Sequence, residues 1–104
     1  MTDSINERIA KVKELKVTAV YQDGAVRTKA GKRIGEEYNW QHSIADAWVL
    51  VEEMARTESV TVALFPSGPE DEKAAVYVQA TEGLAPTAPE AICLAYLALN
   101  EKKT

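Results

Sequence analysis

The chain has 104 residues, 46% hydrophobic and 27% charged, with a net charge of −4 at pH 7. A chain of this length is one domain that can bury about two thirds of its unfolded surface, and its composition excludes a disordered or low-complexity protein. Its acidic sign argues against non-specific nucleic-acid binding, its short and charge-broken apolar runs against a membrane span, its acidic N-terminal stretch against a secretory signal, and its single cysteine against an internal disulfide.

Ser4 with Glu7 forms a capping box, and Ile5, Ile9 and Val12 follow at helical spacing, predicting an amphipathic helix over 4–15. Val17 to Tyr21 alternates and is β-branched, Asp23-Gly24 is a strong hairpin signal, and Ala25 to Thr28 supplies the return strand. Ala30-Gly31 then turns the chain into a polar connection that runs to Asn39. Ser43 with Asp46 starts a second helix, expected to reach about Arg56 and to bury Ile44, Ala47, Trp48, Val51 and Met54 or Ala55. Val60–Phe65 reads as a strand, Pro66–Glu72 as a loop, Ala75–Ala80 as the partner strand and Gly83–Pro86 as a connection. The last helix opens at Thr87, with Pro89 in its first turn and Glu90 completing a capping box. It is apolar nearly all round from Ala91 to Leu99, so it must be covered on more than one side, by its own chain or at a subunit interface. The order αββαββα defines a single-domain α+β sandwich of antiparallel strands and three helices.

Two of these stretches carry a family likeness. Ile44–Met54 (IADAWVLVEEM) resembles a helix of the small phage and prophage proteins known as the phage ABA-sandwich domain, and Ala85–Leu97 (APTAPEAICLAYL) is similar to the helix that closes that domain. The likeness covers roughly residues 38–99. Gln41-His42-Ser43 stands where the family often has Ser-Thr-Asp, and the basic segment from Arg27 to Arg33 lies outside it. These are packing and capping motifs. The resemblance implies a fold and a phage origin, not a reaction; with the single cysteine, which fits a reducing cytoplasm, the expected location is the cytoplasm of an infected bacterial host.

No nucleophile elbow, phosphate loop, dinucleotide fingerprint or zinc-ligand spacing is present, so neither a cofactor nor a metal is expected. Cys93 sits among apolar neighbours and reads as a structural thiol. The clearest chemical feature is Arg27-Thr-Lys-Ala-Gly-Lys-Arg33 followed by Tyr38, Trp40, His42 and Ser43. Arg27, Lys29, Lys32 and Arg33 offer charge for a phosphate, Tyr38 and Trp40 offer rings for a base, and the helix start at Ser43 offers N–H donors. Trp40 has a second reading, as a staple packed at the helix start. The segment as a whole has a plainer one, a solvated hairpin neutralised by Glu36 and Glu37.

Three functions follow. In the first, a non-catalytic, homo-oligomeric protein sequesters a small anionic ligand such as a nucleotide messenger, as a counter to host defence. In the second, an inhibitor or adaptor docks on a host protein through the acidic half of the chain; residues 58–104 hold seven acids against three bases, whereas residues 1–57 hold nine of each. In the third, a weak hydrolase uses His42 as a general base.

Overall fold

The computed structural model describes residues 4–29, 37–78 and 81–102. The elements are α1 (Ile5–Val12), β1 (Lys16–Val20), β2 (Val26–Lys29), β3 (Glu37–Tyr38), α2 (Ile44–Ala55), β4 (Val60–Leu64), β5 (Ala74–Val78), β6 (Thr81–Ala85) and α3 (Ala88–Lys102). Helices and hairpins alternate as expected, and each hairpin gains a third antiparallel strand, giving sheets ordered β1-β2-β3 and β4-β5-β6.

The first helix starts where the capping box places it: Ser4 Oγ accepts from Glu7 N at 3.2 Å, and Glu7 Oε1 accepts from Ser4 N at 3.4 Å. It ends earlier than the apolar spacing suggests. Leu15 N donates to Ala10 O and Glu14 N to Lys11 O, the paired bonds of a Schellman stop, with Glu14 in the left-handed region at φ 59°. Leu15 thus packs on the core from outside the helix. The Asp23-Gly24 turn forms as read, with Gly24 at φ 92° and Asp23 Oδ1 accepting from Ala25 N at 3.1 Å.

The apolar last helix is covered by its own chain. α3 packs against β5 and β6, and also against α2 and α1, while α1 carries the first sheet through β1 and β2. Ala91, Ile92, Cys93, Ala95, Tyr96, Leu97 and Leu99 are all buried, which is why the helix has no polar face.

Gly83 lies in strand β6 rather than in a connection. Its backbone approaches α3 so closely that a β-carbon there would sit 2.3 Å from Ala91 O and 2.6 Å from Ala95 N. Glycine reads as a turn residue in a sequence, but here it permits contact between a strand and a helix. On the face toward α3, Ala74, Val76 and Val78 of β5 stand beside Ala85, Gly83 and Thr81 of β6, and all six are buried. The β5 strand was expected to reach Ala80; Gln79 and Ala80 lie outside the described residues.

Trp48, expected on the buried face of α2, lies outside it, whereas Trp40 is buried, as its reading as a staple expected. Trp40 is 1% exposed and Trp48 47% exposed. Helix α2 has apolar side chains around most of its circumference, so its periodicity does not single out one stripe. Packing on α3 selects Ala47, Leu50, Val51 and Met54, and leaves Ile44, Trp48, Val49 and Ala55 outside.

Candidate binding faces

Residues 39–43, which precede α2, are held by polar contacts from three directions. Asn6, fully buried on α1, donates from Nδ2 to Gly24 O (2.8 Å) and Asn39 Oδ1 (3.0 Å), and its Oδ1 accepts from Gln41 N (2.9 Å). Asp46 Oδ2 accepts from Asn39 N at 2.8 Å, and Ser43 Oγ accepts from Asp46 N at 3.3 Å, so the short acid reaches past the cap to the preceding turn. Gln41 Nε2 donates to Glu90 Oε1 on α3 at 3.4 Å. Pinned in this way, the turn drives Trp40 inward, where it stacks on Tyr38 with ring centroids 4.6 Å apart. Asn6 carries no motif. Its only sequence signal is a poor helix former set between Ile5 and Ile9.

The expected basic-aromatic site is therefore divided. Of its two rings, Trp40 is core and stacked, so it is a staple and not a free platform for a base. Ser43 spends its hydroxyl on the helix cap. His42 is exposed, and its side chain bonds to nothing among the described residues. Arg27 pairs with Glu37 directly across the strands at 3.4 Å, and Glu37 also accepts from Tyr21 Oη at 3.0 Å. That bond and burial hold the Tyr21 phenol above its ordinary value. Lys29 is exposed on β2. Lys32 and Arg33 lie outside the described residues, as does Glu36.

One feature of the first sheet was not visible in the linear segment. The register sets Lys16 of β1 opposite Lys29 of β2, and both are exposed. Like charges directly opposite are unfavourable, and no acid among the described residues pairs with either. Lys16, Arg27 and Lys29 are thus the exposed cations of β1 and β2. A hollow beside them, of about 450 Å³, is lined among the described residues by Tyr21, Gln22, Asp23, Ala25 and Glu37, which include acids and no cation. Another, of about 270 Å³, has Trp40 and Tyr38 in its wall together with Lys13 and Asp46. It falls just below the size range of small-molecule sites, roughly 300 Å³ upward.

Lys13 ties the helices together. Its Nζ lies 3.1 Å from Glu53 Oε2 of α2 and 5.8 Å from the ring centroid of Tyr96 of α3. Burial, and then the Glu53 carboxylate, raise the Tyr96 phenol far above its usual range. Cys93 is fully buried, and burial pushes its thiol up to about 12, the reverse of what a nucleophile requires. No group of three or more metal-ligating side chains occurs among the described residues, and no helix there is long and apolar enough to cross a membrane.

The second sheet presents a different surface. Val62, Leu64, Phe65 and Tyr77 are exposed, Leu64 to 67%. At the end of β4 the loop Phe65–Lys73 closes on itself, with Phe65 N donating to Lys73 O at 2.7 Å and Gly68 N to Phe65 O at 3.1 Å. Between loop and sheet lies a hollow of about 580 Å³, walled by Phe65, Pro66, Pro69, Tyr77 and Leu84 and bordered by Glu72 and Glu82. No lysine or arginine among the described residues lines it. The neighbouring Lys73 turns to Glu70, 3.3 Å away.

No family model, curated protein or solved structure matches the chain. The resemblance to phage ABA-sandwich domains rests on the two helix motifs alone.

Proposed function

We propose that the protein is a non-catalytic binding protein that docks a protein partner through its C-terminal half, at the apolar hollow bordered by Glu72 and Glu82. The observation that carries this reading is an exposed apolar cluster joined to a concave, proline-walled surface whose charges, among the described residues, are negative. Exposed apolar patches with a polar rim mark interaction sites, and aromatic anchors in pockets supply most of the affinity of such sites. The chemistry fits a partner segment with an apolar side chain for the hollow and lysine or arginine beside it. The helix motifs add a setting to the proposal: a phage-encoded protein acting on a host factor in the cytoplasm of an infected bacterium.

The test is binding of synthetic peptides by fluorescence anisotropy, comparing basic-apolar, acidic-apolar and basic-polar sequences of equal length. Basic-apolar peptides are expected to bind best, with affinity lost on Phe65→Ser and reduced on Glu72→Lys or Glu82→Lys. Equal affinity for all three classes, or binding indifferent to those substitutions, overturns the reading.

The facing pair Lys16 and Lys29, with Arg27 beside them, favours a second reading, in which an anionic ligand of nucleotide type sits on the first sheet. An anion between the two lysines would relieve their repulsion. Native mass spectrometry of protein purified from cells, followed by denaturation to release bound compounds, is expected to yield a phosphate-bearing molecule that Lys16→Glu and Lys29→Glu abolish. A ligand retained by both variants contradicts it.

A further inference from the structure

The two sheets have four edges, and three of them carry features that prevent pairing with another chain. Such features are charges, bulges, short strands and irregular residues. Strand β1 has Lys16 and a register shift between Val17 and Ala19. Strand β3 is two residues long. Strand β6 carries Glu82 and Gly83.

Strand β4 has none of them. Its five residues, Val60-Thr-Val-Ala-Leu64, are uncharged and contain no proline or glycine, and they pair with β5 in unbroken register. Among the described residues only β5 pairs with it, which leaves its outer backbone edge without a strand partner there. Val60, Val62 and Leu64 stand opposite Val78, Val76 and Ala74, on the face that α3 covers further into the sheet. The cover stops short of the edge: the β5 residues are buried, while Val62 is 37% exposed.

We propose that β4 pairs antiparallel with β4 of a second copy of this chain, joining two three-stranded sheets into one of six strands. A two-fold axis perpendicular to the sheet sets Val62 opposite the second copy's Val62, Val60 opposite its Leu64 and Thr61 opposite its Ala63. Every facing pair within the strand is uncharged, and β-branched residues suit such pairing. The first acid before the strand, Glu58, falls opposite Pro66 of the second copy, so no like charges meet. An antiparallel pair of identical strands is isologous and closed, and so gives a dimer and not a filament. The uncovered inner row, Val62 and Leu64, gains the matching row of the second copy as its cover. The pairing uses the edge and inner row of β4, whereas the docking reading centres on the loop and Tyr77; Leu64 enters both, since it also lines the hollow, so Val62→Lys is the variant that separates them.

The test is analytical ultracentrifugation of the full chain over a concentration series, beside the variants Val62→Lys, Leu64→Lys and Trp48→Glu. All three positions are exposed, and circular dichroism with thermal melting checks that each variant folds. The expected result is a wild-type dimer whose dissociation constant rises at least roughly 100-fold in Val62→Lys, where two lysines meet on the axis. Leu64→Lys weakens it similarly, and Trp48→Glu leaves it unchanged. A wild-type monomer across the series overturns the proposal. So does a folded Val62→Lys that remains dimeric, or a dimer that Trp48→Glu alone disrupts, which would place the interface on α2.

Discussion

The two sheets are equal in strand number and opposite in construction. The first is positioned by directional polar contacts, from Asn6 to the hairpin turn, from Asp46 to Asn39 and from Glu37 to Tyr21 and Arg27, with one buried stack of Tyr38 on Trp40. The second is positioned by close apolar contact, its strands lying on α3 with Gly83 at the point of nearest approach. The difference decides what each sheet leaves outside. Polar anchoring consumes the functional-looking groups of the first half, since a side chain that caps a helix or neutralises a neighbour is not free for a ligand. Apolar anchoring uses one face of the second sheet and leaves apolar side chains of its edge strand and loop in solvent.

The contrast can be broken at its anchors. Trp40→Ala is expected to cost most, about 3–5 kcal/mol as for other buried aromatic truncations, whereas Trp48→Ala on the outer face of α2 should stay within about 0.5 kcal/mol. Urea unfolding of both variants measures the difference, and equal losses would contradict the assignment of core and surface. Gly83→Ala is next. Its new methyl meets backbone atoms of α3 that cannot rotate away, so a loss of about 3 kcal/mol is expected by the same measurement. Asn6→Ala removes three hydrogen bonds at a fully buried position and leaves partners unsatisfied, for about 2 kcal/mol. A loss below about 0.5 kcal/mol would show that the first half does not depend on this anchor.

The smallest effect is a pH dependence. The folded Cys93 thiol keeps its proton until about 12, while an unfolded one loses it near 9. Above 9 the unfolded chain therefore binds fewer protons and is favoured, so this contribution to stability is complete below 9 and declines between 9 and 12. Cys93→Ala should remove about 1 kcal/mol of the decline measured between neutral pH and pH 10. The Tyr96 phenol, raised by burial and Glu53, acts in the same direction and stays in the variant.

What could be read from the sequence follows the same division. Local rules placed what local chemistry controls: the Ser4–Glu7 and Ser43–Asp46 helix starts, the Asp23-Gly24 hairpin, the strands on either side of Pro66–Glu72 and the burial of Cys93. Reading failed where two answers satisfy the local pattern and tertiary contact selects one. Helix α2 has more apolar residues than one stripe can bury, so Trp48 could not be told from Leu50 without knowing where α3 lies. Gly83 has the composition of a turn and the role of a packing contact. Trp40 follows no apolar period because it is buried from a turn, and its burial depends on Asn6, 34 positions earlier in the chain. The basic segment was legible as charge, but the opposition of Lys16 to Lys29 is a matter of register, which the linear pattern does not contain.

The proposed docking surface lies on the second sheet and not on the first. The most direct test is a two-dimensional amide NMR titration of the full chain with a basic-apolar peptide. Shifts are expected to concentrate at Leu64–Glu72, Tyr77 and Glu82–Leu84, with Lys16, Arg27 and Lys29 unmoved. Shifts centred on the first sheet, or spread over both sheets alike, would contradict it.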